Sequence, residues 1–177
     1  MGNTRIVRTY LEQKWHDLYR MAYAWSHDPQ LASDITQEAV SRALKKASQL
    51  REQQAIAVWV YRILLSCWID RYKADRRFEP LPEVEMHSGA PSADDDLEQQ
   101  DLISRVRRAL AGLSFEQRQI IALIDLEGFS YSQVAEILEV PMGTIMSRLC
   151  RARRQLKQRL QEQAAMEQHH ANVRRIK

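Results

Sequence analysis

Between Arg148 and Arg159 the chain carries six basic side chains, Arg148, Arg151, Arg153, Arg154, Lys157 and Arg159, and no acidic one. Cations at that density suit one chemistry above others: they pair with nucleic-acid phosphates and release the counterions condensed there. Ahead of them stand Thr144 and Ser147, hydroxyls small enough to reach a base edge. At about 100° per residue, Thr144, Ser147, Arg148, Arg151 and Arg154 share one helical face. Ile145, Leu149, Ala152, Leu156 and Leu160 form a separate apolar stripe. The same spacing rule brings Asp34, Gln37 and Glu38 together, two carboxylates and an amide that suit a basic partner. A third set, Arg71, Lys73, Arg76 and Arg77, gathers cations near the end of another helical stretch. Each set has a plainer alternative, because charged helix faces are commonly just solvated and C-terminal cations complement the helix dipole.

Enzymatic chemistry finds no comparable footing. Catalysis on a nucleic acid would need a metal cluster, a glycine-rich phosphate cradle, or a nucleophile with its base. The five glycines are scattered, two of the five histidines are adjacent near the end of the chain, and Cys67 and Cys150 lack neighbours at metal-ligand spacing. No cofactor, metal site or disulfide is expected, and Cys150 is expected to pack as a small hydrophobe.

The elements that must position these residues follow from punctuation and periodicity. The 177 residues are 45% hydrophobic with five Gly and five Pro, which points to an all-α chain of one or two small domains. No run approaches the length of a membrane span, since Arg62 interrupts the best one, and the N-terminus lacks a signal-peptide core. A cytoplasmic protein without membrane insertion is expected. Net charge divides as +5 over residues 1–77, −8 over 78–104 and +6 over 105–177. Two basic blocks separated by an acidic, Pro-containing one suggest two domains facing a polyanion, with residues 80–96 as a flexible linker. Domains at 1–79 and 97–177 result, the second ending in a polar tail.

In the first domain helices are expected over 4–26, 29–47 and 55–77, broken at the polar stretch 48–54, with the four Trp forming much of the core. Asp28 before Pro29 makes a good helix start. In the second, helices are expected over 98–111, 115–126, 130–138 and 141–163. Ser114 with Gln117, and Ser130 with Gln133, fit the capping box. A short helix, a tight turn and a longer helix opening with Pro141 compose a helix-turn-helix unit. In that docking mode Thr144, Ser147 and Arg148 are placed to read base edges, and Arg151 and Arg154 to meet phosphates further along.

These residues resemble a known family. The stretch GFSYSQVAEILEVPMGTIMSRLCRARRQLKQRL, preceded by LSFEQRQIIALIDLE, is similar to the DNA-binding domain of bacterial extracytoplasmic-function (ECF) sigma factors. Leu18-Tyr19-Arg20, Asp34 to Val40, Trp59 to Ile63 and Ile69 to Tyr72 resemble the other domain of that family in the same order. The resemblance implies a promoter-specificity factor that binds core RNA polymerase and promoter DNA. It places Asp34, Gln37 and Glu38 against a coiled coil of the largest polymerase subunit, and assigns Arg71, Lys73, Arg76 and Arg77 to the downstream promoter element, with Ser66 near the base-capture site. An anti-sigma factor is implied as a further partner. The chain departs from the family's usual pattern at Glu139, where Gly is common in the turn, at Met146, where Lys or Arg is common, and at Ser66, where Asn is common. The competing reading is a stand-alone helix-turn-helix regulator that binds DNA without polymerase, which leaves the first domain without a role.

Overall fold

The computed structural model describes residues 2–75 and 97–175, with side chains over 2–73 and 104–166. Every regular element among them is helical. The first unit comprises α1 (Gly2–Ser26), α2 (Pro29–Lys45) and α3 (Ile56–Asp75), and short 3-10 turns at Ala47–Gln49 and Gln53–Ala55 fill the break between α2 and α3. The second comprises α4 (Leu97–Ala111), α5 (Phe115–Ile121), α6 (Tyr131–Leu138) and α7 (Met142–Arg175). Arg76, Arg77 and the expected linker at 80–96 lie outside the described residues.

Local chemistry sets the helix ends. Asp28 caps α2 by accepting from the amides of Gln30 and Leu31 at 2.8 and 3.0 Å, with Pro29 at the first helical position. Both capping boxes close as their spacing requires: Ser114 and Gln117 open α5, and Ser130 and Gln133 open α6. Helix α5 does not end as a regular α-helix. Ala122–Leu126 widens into a π turn, with the Glu127 amide donating to the Ala122 carbonyl at 3.1 Å. Gly128, at φ +73°, then lets the Phe129 amide return to the Leu123 carbonyl at 3.0 Å. Glu139 takes the left-handed conformation, φ 54°, in the turn between α6 and α7, where a side chain costs on the order of 1 kcal/mol relative to glycine.

Three expectations need correction. Helix α7 runs on through Arg175, so the stretch after 163 is helix and not tail. Residues 164–175 contain no Gly or Pro and include Ala164, Ala165, Met166, Glu167, Gln168 and Ala171, good helix formers that sustain a helix without an apolar stripe. Of the four Trp, Trp25 and Trp68 are buried, while Trp15 and Trp59 are half-buried. Cys67 rather than Cys150 is the packing cysteine. It is buried on α3 with its thiol pushed up to about 11 by desolvation, whereas Cys150 sits beside the cationic face of α7 and is exposed.

The two units share one apolar core. Trp25 of α1 and Trp68 of α3 both meet the ring of Phe115 on α5, at centroid distances of 6.5 and 5.4 Å. Tyr61 of α3 packs edge-on against Phe129 at 4.8 Å.

Candidate functional site

Three helix faces, on α2, α3 and α7, carry the side chains that the sequence singles out. On α2, Ala32, Ile35, Thr36, Ala39 and Ala43 are buried, which turns Gln37 and Glu38 out to solvent and leaves Asp34 half-exposed on the same side. Thr36 is satisfied within the helix by donating to the Ala32 carbonyl at 2.7 Å. Each of the three outward groups is steadied by a neighbour one turn away. Gln30 Nε2 donates to Asp34 at 3.1 Å, Gln37 Nε2 to Ser33 Oγ at 3.3 Å, and Arg42 Nε to Glu38 at 2.6 Å. Arg42 also donates to Asp70 of α3 at 2.6 Å, so its guanidinium bridges the two helices and its pKa is raised, chiefly by the bonds to Asp70 and Glu38. Asp70 was not among the residues that sequence reasoning selected. Glu38 and Arg42 are legible as an i,i+4 pair, but nothing in the sequence links them to a residue 28 positions on.

On α3, Ser66, Arg71 and Lys73 are exposed, and Tyr72 between the two cations is 41% exposed. The Tyr72 ring stacks on Trp68 at 6.0 Å and on Phe115 at 6.3 Å, with interplanar angles of 23° and 14°.

On α7 the buried stripe is Ile145, Leu149 and Ala152, continued by the partly buried Leu156 and Leu160. Packing of that stripe leaves Ser147, Arg151 and Arg154 exposed and Thr144 and Arg148 half-exposed on a common side. Ser147 Oγ donates to the Thr144 carbonyl at 3.1 Å, and Arg151 Nε to the Ser147 carbonyl at 3.3 Å, both within the helix. Arg148 lies 3.8 Å from Glu116, a loose ion pair at the surface. Arg153 differs from its neighbours. It points off this face and forks onto Asp125, which ties α7 to the π turn and raises the Arg153 pKa through those hydrogen bonds. Met142 and Met146 remain 49% and 47% exposed at the start of the helix, so no phosphate-binding cation stands at 146.

A short helix, a left-handed turn and a long helix with hydroxyls first and arginines after are the geometry of a major-groove reader. Comparison with known proteins extends that across the chain. Sigma-70 region 2 matches residues 10–78, and Sigma-70 region 4 matches residues 103–156. The ECF RNA polymerase sigma factor SigM of Mycobacterium tuberculosis is 33% identical over 139 residues, covering 78% of this chain and 69% of the relative. The chain belongs to the ECF sigma factor family. The RNA polymerase sigma-H factor of Pseudomonas aeruginosa is 27% identical over 171 residues, covering 90% of this chain and 89% of that one. Among solved structures, the sigma factor RpoE in complex with the anti-sigma factor NepR from Bartonella quintana superposes with a TM-score of 0.70 at 27% identity, covering 87% of this chain and 96% of its own. CnrH in complex with the cytosolic domain of CnrY shares the fold, with a TM-score of 0.67 over 91% of each chain. A sigma factor is an initiation factor and not an enzyme: it binds core RNA polymerase and directs it to promoter DNA. No helix among the described residues is long and apolar enough to cross a membrane.

Proposed function

We propose that this sigma factor engages polymerase through Asp34, Gln37 and Glu38, and promoter DNA through two separate surfaces. The carrying observation is that α2 gathers those three groups on one side, Gln37 and Glu38 exposed and Asp34 half-exposed, each steadied by a neighbour on its own helix. Such a face offers two oriented carboxylates to a basic partner at little ordering cost. The upstream promoter element is read by α7, with Thr144, Ser147 and Arg148 at base edges and Arg151 and Arg154 on phosphates. The downstream element is held by Ser66, Arg71 and Lys73 on α3, with Arg76 and Arg77 assigned to the same surface from the sequence. Cations there bind the phosphates of a separated strand whose bases are captured singly. The working division is 1–79 for the first domain, 80–96 for the linker and 97–177 for the second, supported by the two family matches ending at 78 and beginning at 103.

The protein works in the cytoplasm, where bacterial polymerase and DNA are. An anti-sigma factor is its third partner, a reading supported by the RpoE relative solved with the anti-sigma factor NepR bound. Reconstitution tests the whole scheme. Purified protein added to core polymerase should confer run-off transcription from its own promoter, and the Asp34→Lys/Glu38→Lys variant should not. Equal transcription by the variant would remove the α2 assignment.

A further inference from the structure

Among the described residues few large apolar side chains are left in water, and two of them, Met142 and Met146, open the reading helix with about half of their surface exposed. They stand four positions apart, and the exposed Cys150 follows at the same spacing. Steps of four along an α-helix advance only about 40° around its axis, so the three form one row. That row starts beside the buried stripe of Ile145 and Leu149 and crosses onto the side where Ser147, Arg151 and Arg154 are gathered, with Arg154 as its next member. Gly143 lies between the two methionines. No protein atom comes within 4 Å of where its Cβ would stand, and its φ is not positive, so neither packing nor backbone conformation asks for a glycine there. In a helix it is a poor former, and the bare backbone leaves room for something outside the chain to come close.

The start of a recognition helix is the part that meets base edges in the major groove. Those edges present hydrogen-bond donors and acceptors, and the apolar group among them is the 5-methyl of thymine. A flexible thioether side chain adapts its shape to such a target. We propose that Met142 and Met146 read thymine 5-methyl groups in the upstream promoter element, so that α7 divides its reading between an apolar row for methyls and a polar row for hydrogen-bonding edges. A cation at 146 would attract phosphate on any sequence; methionine there exchanges that general attraction for contact with one kind of base.

The inference rests on the docking of α7 in the major groove given above, and its test alters methyl groups on the DNA alone. Duplexes carrying the upstream element are selected from a random pool with core polymerase and the full-length protein. They are then remade with deoxyuridine in place of thymidine, which removes the 5-methyl and keeps O4 and the base pair. The native protein should bind the uracil duplexes about fourfold more weakly for each methyl contacted. The Met142→Gln/Met146→Gln protein, which keeps side-chain length and helix propensity, should bind thymine and uracil duplexes alike. Arg148→Ala should weaken binding to both and preserve their ratio. Equal binding of the two duplexes by the native protein would overturn the proposal, as would a selected element without thymine. A uracil penalty that persists in Met142→Gln/Met146→Gln would put the sensitive methyl against another group and overturn the assignment. If Arg148→Ala weakens binding while uracil costs nothing, the methyl reading alone falls; if neither change matters, α7 is not the reader and both readings fall.

Discussion

Helices α2 and α7 each offer an exposed charged face, but they hold it differently. On α2 every candidate group is braced: Asp34 by Gln30, Gln37 by Ser33, and Glu38 by an arginine that itself reaches across to Asp70. On α7 the candidate arginines lean only on their own helix backbone or on a loose pair, while the one arginine that is firmly tied, Arg153, points elsewhere. The difference suits the partners. A protein surface recognises a fixed constellation and rewards groups already in place, whereas phosphates are a regular lattice that mobile cations can adjust to. On the proposed roles, braced acids would confer specificity for one docking site, and loose bases would allow the helix to search.

The largest effect should come from reversing the braced face. Asp34→Lys with Glu38→Lys should abolish core-polymerase binding in a pull-down, while circular dichroism stays native because Arg42 keeps Asp70. Retained binding would mean that the bracing serves the fold alone. Next, Arg148→Ala should lose about 1 to 3 kcal/mol on the preferred promoter and relax preference at one or two base pairs, whereas Arg154→Ala should weaken all sequences alike and lower the salt slope by about one. Equal losses on specific and scrambled DNA from both would erase the division along α7. Binding isotherms at several salt concentrations decide it.

The third substitution sharpens the contrast inside α7 itself. Arg153→Ala should leave the salt dependence of DNA binding unchanged and instead lower stability by about 0.5 to 1 kcal/mol, as expected for a surface ion pair of good geometry. A fall in salt slope would place Arg153 on the DNA after all. The smallest effect concerns His27, at the end of α1, held at φ 54° with its ring against Tyr23 and near Arg118. Burial first, and then the Arg118 charge, lower its pKa to about 4. The unfolded chain, with a histidine near 6.5, therefore binds more protons between pH 6.5 and 4, so this contribution is intact above that window and fades as pH falls through it. His27→Asn, which tolerates the left-handed backbone, should flatten that part of a stability-versus-pH curve; an unaltered slope would show the imidazole to be irrelevant.

How far the sequence reveals this protein depends on the range of each interaction. Capping boxes, Pro29 and the buried stripe of α7 act within four residues, and the helix starts are legible from them. The left-handed Glu139 was expected from a missing glycine and is observed. The far end of α7 reads as a tail because its composition is polar, although helix propensity alone suffices to continue the helix. Contacts between distant residues left no trace. Tyr61 and Glu127 are 66 positions apart, Arg62 and Glu139 are 77 apart, and each appears in the sequence as just another apolar or charged residue. Two domains with separate tasks were legible; that they close on each other was not.

The π turn at Ala122–Leu126 makes spacing a determinant in its own right. A wide turn absorbs one residue more than a regular α-helical turn, so every side chain after it lags by about 100° relative to an uninterrupted helix. That lag leaves Leu126 56% exposed and sends Glu127 inward to Tyr61. Deleting a single residue from this turn would change no chemistry on the list of functional groups, yet it would rotate Glu127 away from its socket. Relatives that differ here by one residue in length would keep the same parts and lose the fit between them.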